Sequence, residues 1–546
     1  MNCNNNWWKE RVVYQIYPRS FQDTSGNGIG DIPGIIKRLD EIRALGVGII
    51  WLCPVYKSPD ADNGYDISDY RDINPKFGTM ADMEMLFAEA EKRDIKVIMD
   101  LVINHTSDEH DWFQKSRNKD NPERDYYIWK PPNEEGNEPN NWTSFFMGSA
   151  WKFDAKSGEY YLHLFHEKQP DLNFRNPKVI EEVKEIMHFW LKKGAAGFRC
   201  DVINVIFKSS FDDGVHRMAM CGREHYVTQD EAHSILQELR RDVLDKYDCF
   251  TVGEITLASL RDAKLLTNPE RKELDMVFCL DHLNIDRRIE NLIPKRLNAK
   301  KLLKVLTRWQ QGLDWSAVCL ENHDQPRIVS HFGDDVNFWE RSAKLLAILQ
   351  FTQRGTPFIY QGQEIGMTNF DFNRMSQIDD VASIGIDKLL RSYHIPSSLR
   401  WKWLRESSRD NARTPMQWSA EPNAGFTTGR PWLGINSNYV KVNYEEQKNR
   451  EDSILNFYKQ MIAFRASSET LKYGEFTPIF GSKQILAYAR SQSKEEQLAV
   501  VLNMSGKPAS MPVDHSLVGR VIVSNTNKTD FDGTLAPWEG VILKTR

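Results

Sequence analysis

The sequence lacks long apolar segments. No run of about 18 apolar residues occurs, and the first residues, MNCNNNWWKERVV, do not combine a basic segment with an apolar one. Neither a membrane-spanning helix nor an export signal is therefore expected. These absences predict a soluble protein that works in the cytoplasm and has no membrane partner.

Cysteine is scarce, and its spacing fits neither a disulfide framework nor a zinc site. The seven cysteines are an odd number without CxxC spacing. Five of them lie in apolar, strand-like runs, at Cys53, Cys200, Cys249, Cys279 and Cys319. We interpret these as reduced core residues. The HLFH run at residues 163–166 also lacks the surroundings of a zinc site and is interpreted as loop packing.

Neither sign of charge is in excess. The formal net charge is −5 and no long basic run occurs, so the charge pattern does not point to nucleic acid or to an anionic membrane. No GxGxxG follows the first strand, which argues against a nucleotide-binding open sheet. We expect a small neutral substrate, no organic cofactor and no nucleic-acid partner. The sequence does not determine the oligomeric state, and a monomer is favoured.

What the sequence does contain is an alternation of short apolar runs and amphipathic segments. Strand-like runs occur at residues 12–17, 47–53, 96–102, 195–202, 250–255, 276–280, 317–320 and 358–360. Helical periodicity occurs at residues 32–45, 80–93, 177–193, 233–247 and 338–352. Eight strands that alternate with helices predict an α/β fold, the parallel (β/α)8 TIM barrel.

Two stretches interrupt the alternation and a third follows it. Residues 106–174 are rich in Asn, Pro, Trp, Glu and Lys and predict an irregular subdomain inserted after strand three, where it would wall the substrate cleft. A polar insertion at about 368–444 precedes a helical pattern at 453–467. Alternating strands from about 474 predict an all-β C-terminal domain, most simply a sandwich. The predicted domains are 1–105 and 175–473 (barrel), 106–174 (insert) and 474–546 (C-terminal domain).

Polar side chains gather where four of the predicted strands end. Strand three ends in residues 100–105 (DLVINH), strand four in Arg199 and Asp201, strand five in Glu254, and strand seven in residues 321–324 (ENHD). The carboxyl ends of barrel strands share one rim, which is where barrel active sites lie. Taken alone, Arg199 and Asp201 are equally well explained as a structural ion pair. Four polar strand ends together favour a functional site.

The arrangement of these carboxylates suggests their chemistry. Arg199 and Asp201 face the same way, because side chains alternate along a strand. The cation is expected to lower the pKa of Asp201 more than burial raises it, which makes Asp201 a candidate nucleophile. Glu254 lies in the apolar run FTVGEI, where desolvation favours the neutral acid. Such a pair is typical of glycoside hydrolysis, and Asp324 beside His323 is placed to stabilise an oxocarbenium-like transition state.

A metal-like loop lies near the N-terminus. DTSGNGIGD places oxygen ligands at alternate positions, at Asp23, Ser25, Asn27 and Asp31, with glycines that allow a tight turn. A hard cation such as Ca²⁺ is held by ligands of this kind. The alternative is an ion-free turn held by Asx hydrogen bonds.

The motifs DLVINH, GFRCD, VGE and ENHD resemble those of the α-amylase family of retaining glycoside hydrolases. The resemblance extends over nearly the whole chain, and QPDLNF at residues 169–174 resembles the motif of the family's oligo-1,6-glucosidase branch. It implies that Asp201 is the nucleophile, Glu254 the acid/base and Asp324 the transition-state stabiliser. It further implies contacts to one glucose from Asp62, Tyr65, His105, Arg199, His323 and Arg413, with Phe146 and Phe165 at the cleft wall. A structural Ca²⁺ would be bound by Asp23, Ser25, Asn27, the carbonyl of Ile29, and Asp31.

The residue after the nucleophile bears on the linkage. In this branch valine accompanies α-1,6 cleavage, and here the residue is Val202, which favours an exo-acting α-glucosidase on isomaltose-type substrates. The open alternatives are α-1,4 oligosaccharides, sucrose, trehalose 6-phosphate and, remotely, an inactive binding scaffold. QPRIVSHFG lacks the Arg- and Asp-rich signature of sucrose isomerases, which disfavours isomerisation. Departures at His331, Cys200 and residues 255–257 leave the leaving-group preference open.

Overall fold

In the computed structural model, which describes residues 6–217, 219–288, 293–493, 497–513, 517 and 519–545, eight parallel strands close into a barrel. They are β1 (Val13–Ile16), β2 (Ile49–Leu52), β3 (Lys96–Leu101), β4 (Gly197–Cys200), β5 (Phe250–Glu254), β6 (Met276–Phe278), β7 (Ala317–Cys319) and β8 (Thr356–Tyr360). Each strand pairs with its successor along the chain, and β8 pairs with β1. All eight predicted strands and the TIM barrel are confirmed.

Alternation along each strand sorts the side chains into two layers. Ile49 and Trp51 of β2 belong to the apolar cluster inside the barrel, whereas Ile50 and Leu52 belong to the cluster beneath the surrounding helices. At the carboxyl ends of several strands the inward positions become polar. Four such positions are occupied by Gln15, Asp100, Arg199 and Glu254. The candidate site therefore lies at this end of a filled barrel.

The barrel helices follow the strands with mostly small shifts from the predicted bounds. Ten helices lie between β1 and β8 in the described chain. They are α1 (Ile32–Lys37), α2 (Leu39–Leu45), α3 (Met80–Glu91), α4 (Asp111–Ser116, in the insert), α5 (Pro177–Lys193), α6 (Asp230–Asp242), α7 (Leu260–Leu266), α8 (Ala299–Gly312), α9 (Ile328–His331) and α10 (Trp339–Phe351). The predicted helix 32–45 is two helices that meet at Arg38. The bounds of α5 match, because Asn176 caps its start and Gly194 ends it in a left-handed conformation.

The insert is more regular than its composition predicts. Besides α4 it contains a three-stranded antiparallel sheet, in the order Trp129–Lys130, Glu159–Leu162, Trp151–Asp154. Tyr161 and Trp129 pack with Phe113 of α4. The aromatic residues that suggested a surface cleft therefore also form the small core of this subdomain.

The insertion after β8 is helical, although its composition is polar. It contains α11 (Val381–Ser392), α12 (Ser397–Ser407), α13 (Asp410–Arg413) and α14 (Tyr444–Lys448). The chain then forms α15 (Ile454–Ser467) and α16 (Glu469–Tyr473). Ser453 caps α15, as the predicted pattern at 453–467 requires.

The C-terminal domain is all-β, as predicted. Its main sheet contains β9 (Glu475–Gly481), β10 (Ile485–Ser491), β11 (Gln497–Asn503), β12 (Gly519–Ser524) and β13 (Gly540–Thr545), antiparallel in the order β9-β10-β11-β13-β12. One face, with Leu486 and Tyr488, packs on the barrel helices; the other, with Ile485 and Ala487, packs under a two-stranded sheet of Ala509–Ser510 and Thr534–Leu535. The exact domain boundaries stay predictions. Within the described ranges, no helix has both the length and the apolar character needed to cross a bilayer.

A glycine at the start of β4 provides a test of this packing. Gly197 has φ +137°, and an added Cβ would lie 1.9 Å from the Phe250 carbonyl oxygen. Gly197→Ala should therefore lower the melting temperature sharply or prevent folding. Gly158→Ala is the matched control, because Gly158 has φ +70° but open space around it, so its cost is limited to about 1–2 kcal/mol of backbone strain. Equal losses of melting temperature would contradict this account.

Candidate active site

Arg199 lies at the centre of the candidate site. Its buried guanidinium donates from Nη1 to Oδ1 of Asp100 and to Oδ1 of Asp201, both at 2.7 Å, and its Nη2 pairs with Glu254. Asp100 and Arg199 are direct partners in the register of β3 and β4, and Glu254 ends β5. Three adjacent strands thus bring three carboxylates to one cation.

The charge balance in this cluster differs from the sequence-based expectation. Burial raises the pKa of Asp201 well above its usual value; Arg199 lowers it, and the nearby Glu254 and Asp100 raise it further. One guanidinium shared by three carboxylates does not offset burial. The prediction that Arg199 holds the pKa of Asp201 low is therefore wrong for the free protein. Burial also raises the pKa of Asp100 to about 6.

His323 and Arg413 contact Asp324 in a second cluster. His323 Nε2 lies 3.1 Å from Asp324 Oδ2, and Arg413 Nη2 donates to Asp324 Oδ1 at 2.8 Å. The amide of Gln15 donates to His323 Nδ1 at 2.8 Å, which assigns the ring proton to Nε2, facing Asp324. Burial lowers the pKa of His323 to about 3, so the ring is neutral at physiological pH.

Asp324 differs from Asp201 in its electrostatic surroundings. Burial by itself raises the pKa of Asp324, but His323, Arg409 and Arg413 together hold that pKa well below its usual range. The surroundings thus shift the pKa values of Asp324 and Asp201 in opposite directions. Carboxylates whose pKa values are pushed apart are typical of sites with acid and base chemistry.

Asp62, Tyr65 and His105 form one hydrogen-bonded group with Gln169 of the QPDLNF motif. The Gln169 amide donates to Asp62 Oδ2 and to the Tyr65 carbonyl, both at 3.2 Å, and His105 Nε2 lies 3.1 Å from the same carbonyl. The Tyr65 hydroxyl donates to Asp100 Oδ2 at 3.1 Å, and the Tyr65 ring stacks on that of His323. The structure therefore joins all three predicted residues to the clusters around Arg199 and Asp324.

Arg409, which the sequence motifs did not indicate, links three acidic residues. Its guanidinium contacts Asp62 at 3.2 Å, Asp324 at 3.1 Å and Asp380, the N-cap of α11, at 2.7 Å. A signal was present, because Arg409 lies four residues before Arg413, and such positions share a helix face. Arg409 therefore connects the barrel rim to the helical insertion after β8.

Phe146 and Phe165 lie beside His105 and Arg409 of the candidate site. The Phe165 ring centroid is 5.2 Å from that of His105 and 5.8 Å from that of Phe146. The Arg409 guanidinium lies over the Phe146 ring at 5.1 Å. Both phenylalanines belong to the insert, so the insert forms one side of the site.

Val202 has an unusual backbone conformation. Its φ is 37°, in the left-handed region that β-branched residues rarely adopt. Its buried side chain belongs to an apolar cluster with Trp142 and Trp151 of the insert. Val202 therefore fixes the turn after Asp201 and contributes shape, with no hydroxyl to offer a sugar.

The loop of residues 23–31 uses its side-chain oxygens internally. The carboxylate of Asp23 accepts from three backbone N–H groups and from the hydroxyl of Thr427. That of Asp31 also accepts from three backbone N–H groups, and Asn27 Oδ1 accepts from one. Because these oxygens already accept hydrogen bonds, we favour the ion-free turn; the Ca²⁺ with its predicted ligands stays a prediction.

Replacing Arg409 tests its linking role. Arg409→Met leaves buried carboxylates without their shared cation, which should lower the free energy of unfolding by about 3–5 kcal/mol. We expect kcat/KM for an α-glucoside to fall at least about 100-fold, and Arg409→Lys to recover part of it. The control is Arg405→Met, because Arg405 is 43% exposed and pairs with Asp371 at 3.7 Å. Similar activities for the two methionine variants would show that Arg409 is not needed.

Metal removal tests the loop of residues 23–31. We expect the melting temperature to be the same in EDTA and in millimolar CaCl₂, because the loop oxygens already accept hydrogen bonds. An ion bound at 100 times its Kd would stabilise the protein by about 2.7 kcal/mol, which calorimetry detects. A rise of several degrees on adding calcium would contradict the ion-free turn.

Comparison with known proteins places this geometry in a family. Residues 15–474 match the family model described as alpha amylase, catalytic domain. The chain is 46% identical to an oligo-1,6-glucosidase of Parageobacillus thermoglucosidasius over 99% of both chains, and 43% identical to a trehalose-6-phosphate hydrolase of Bacillus subtilis over 98% of both chains. It is also similar to the crystal structure of an isomaltulose synthase from Klebsiella, with a TM-score of 0.94 and 41% identity over 100% of both chains. The chain belongs to the α-amylase family of glycoside hydrolases.

Proposed function

We propose that the protein is a retaining exo-α-glucosidase that releases glucose from the non-reducing ends of short α-1,6-linked oligosaccharides. The observation that carries this proposal is the shared guanidinium of Arg199, which holds Asp201 and Glu254 together. Such closeness matters because retaining enzymes use two carboxyl groups that lie only about 5–5.5 Å apart. The names of the oligo-1,6-glucosidase relatives support the choice of linkage.

The reaction proceeds in two displacements. A carboxylate oxygen of Asp201 bonds to the anomeric carbon while the glycosidic C–O bond breaks, and Glu254 gives its proton to the departing oxygen. Glu254 then takes a proton from water, whose oxygen attacks the same carbon and releases Asp201. Two inversions at one carbon leave α-glucose.

The first displacement needs a proton on Glu254 and none on Asp201. In the free site, burial and the nearby Glu254 and Asp100 raise the pKa of Asp201, so Asp201 has to lose its proton before it attacks. Asp324 stays charged beside His323 and Arg413 and stabilises positive charge that develops on the sugar ring.

Substrate selection follows from the walls of the site. Asp62, His105 and Arg413, with the rings of Tyr65, Phe146 and Phe165, are proposed to contact one terminal glucose, as the family resemblance implies. Val202 presents a branched apolar surface after Asp201, and a change of shape there is worth about 1–3 kcal/mol between competing substrates. The intact carboxylates argue against an inactive scaffold. The proposed site of action is the cytoplasm, where the six described free cysteines stay reduced; a monomer stays a prediction.

The test is glucose release from equal concentrations of isomaltose, maltose, sucrose and trehalose 6-phosphate. We expect isomaltose to turn over fastest. The Asp201→Asn substitution should lower the rate of glucose release at least about 1,000-fold. Val202→Thr, which keeps the branched shape and adds a hydroxyl, should shift the isomaltose-to-maltose ratio roughly 10-fold towards maltose. Faster turnover of another sugar would refute the linkage, and an active Asp201→Asn protein would refute the nucleophile.

A further inference from the structure

An open groove lies between helix α8 of the barrel and strand β9 of the C-terminal domain. It has a volume of about 650 Å³. Its apolar lining is formed by Leu303 of α8 and by Pro478, Ile479 and Phe480 of β9. The catalytic carboxylates do not border the groove. The proposed reaction therefore does not use this space.

Three lysines follow the α8 side of the groove. Lys300, Lys301 and Lys304 are exposed lining residues, and the lining contains no Asp or Glu. Further along the same helix, Arg308 pairs with Asp281 at 3.6 Å. Among the residues that the structure describes, none of the three lysines has a carboxylate oxygen within 4 Å of its Nζ. The groove thus combines an apolar lining with positive charges that no carboxylate neutralises.

The charge of this region is opposite to that of the whole chain. In the sequence, residues 291–313 contain six Lys or Arg and no Asp or Glu, whereas the formal net charge of the chain is −5. Lys483 adds a further cation nearby, because its carbonyl accepts from the Ala299 N–H at the start of α8, at 3.1 Å. A local excess of one sign attracts a partner of the other sign. Two copies of the chain related by a two-fold axis would instead bring two positive surfaces together.

Strand β9 lies at the edge of its sheet but is poorly suited to pairing with another strand. Pro478 has no N–H to donate, and the register with β10 shifts between Pro478 and Phe480. At Gly481 the strand approaches α8 so closely that an added Cβ would lie 3.3 Å from Leu303 Cδ2. The groove therefore has a firm shape, and a partner would be recognised through side chains.

The lining distinguishes between classes of acidic partner. A membrane-binding surface inserts exposed apolar side chains into the bilayer, whereas here the apolar side chains line a concave surface. Single-stranded nucleic acid binds through several stacked rings, and the lining has one ring, that of Phe480. A polypeptide segment can place carboxylates beside lysines and an apolar side chain between them in a groove of this kind.

We propose that the groove binds a short acidic segment of a partner protein. The segment places apolar side chains against Ile479 and Phe480 and its carboxylates beside the three lysines. Because the catalytic residues do not border the groove, this binding does not depend on the glucosidase reaction. The C-terminal domain then has a role in recognition besides its packing on the barrel.

The test measures binding of labelled hexapeptides to the full chain by fluorescence anisotropy. The probes are the acidic peptide DEFDLE, its neutral counterpart NQFNLQ, and DESDSE, which keeps the charges without the apolar residues. At about 50 mM NaCl we expect DEFDLE to bind at least about 10-fold more tightly than NQFNLQ, because exposed charges are least screened at low salt. It should also bind roughly 5-fold more tightly than DESDSE. Equal affinities for DEFDLE and either of the other peptides would overturn the proposal.

Variants of the exposed lysines locate the binding. The triple substitution Lys300→Gln, Lys301→Gln and Lys304→Gln should weaken DEFDLE binding at least about 10-fold, and the corresponding triple arginine variant should keep it within about 2-fold. The control removes the same charge from exposed lysines outside the groove, at Lys37, Lys156 and Lys178. It should leave the affinity within about 2-fold. Equal losses in the two glutamine variants would show non-specific attraction and would overturn the proposal.

Three further measurements separate this partner from other occupants. The same variants are titrated with a labelled single-stranded oligonucleotide and with phosphatidylglycerol vesicles, and their masses are measured by light scattering. Tighter binding of either probe than of DEFDLE, lost in the groove variant alone, would assign the groove to nucleic acid or to a membrane. A change of mass in that variant would assign it to a second copy of the chain. Each of these results would overturn the proposal.

Discussion

One buried guanidinium among buried carboxylates is the constraint on which the site depends. Arg199 contacts Asp100, Asp201 and Glu254, so one positive charge faces three carboxyl groups. Removing a partner from a buried ionic cluster costs more than the pair itself contributes, because the remaining charge stays desolvated. The arrangement therefore fixes where the two reacting carboxylates lie.

The barrel supplies this cluster through register. Asp100 and Arg199 are paired across β3 and β4, and Arg199 and Val252 across β4 and β5, so the inward positions at adjacent strand ends lie side by side. Gly197 permits the close approach of β4 to Phe250 at the other end of the strand. The insert and the helical insertion after β8 then enclose this rim, joined through the Arg409 contacts. The C-terminal sheet packs on barrel helices away from the reacting groups.

Sequence patterns predicted the parts of the molecule that depend on local periodicity. The eight strands were found because short apolar runs with polar ends are typical of buried parallel strands. The helices α11 and α12 were missed because half-exposed apolar residues such as Ile384 and Trp401 read as part of a polar insertion. Arg409 was missed because its three partners lie far apart in the sequence.

Two electrostatic details also could not be predicted from sequence. The pKa of Asp201 depends on how many carboxylates share Arg199, which only the fold determines. The loop of residues 23–31 has oxygen-bearing side chains that accept hydrogen bonds from backbone N–H groups. In both cases the residue types were visible in the sequence, and the partners that each side chain meets depend on the fold.

The most direct test of the account is to identify the residue that forms the covalent intermediate. A fluorinated α-glucosyl fluoride forms the glycosyl-enzyme and slows its hydrolysis, and mass spectrometry of the digested protein locates the added sugar. The account predicts one added sugar on the peptide that contains Asp201, and none in the Asp201→Asn protein. A sugar attached to Glu254 or Asp324, or hydrolysis of α-glucosides with no covalent adduct, would contradict it.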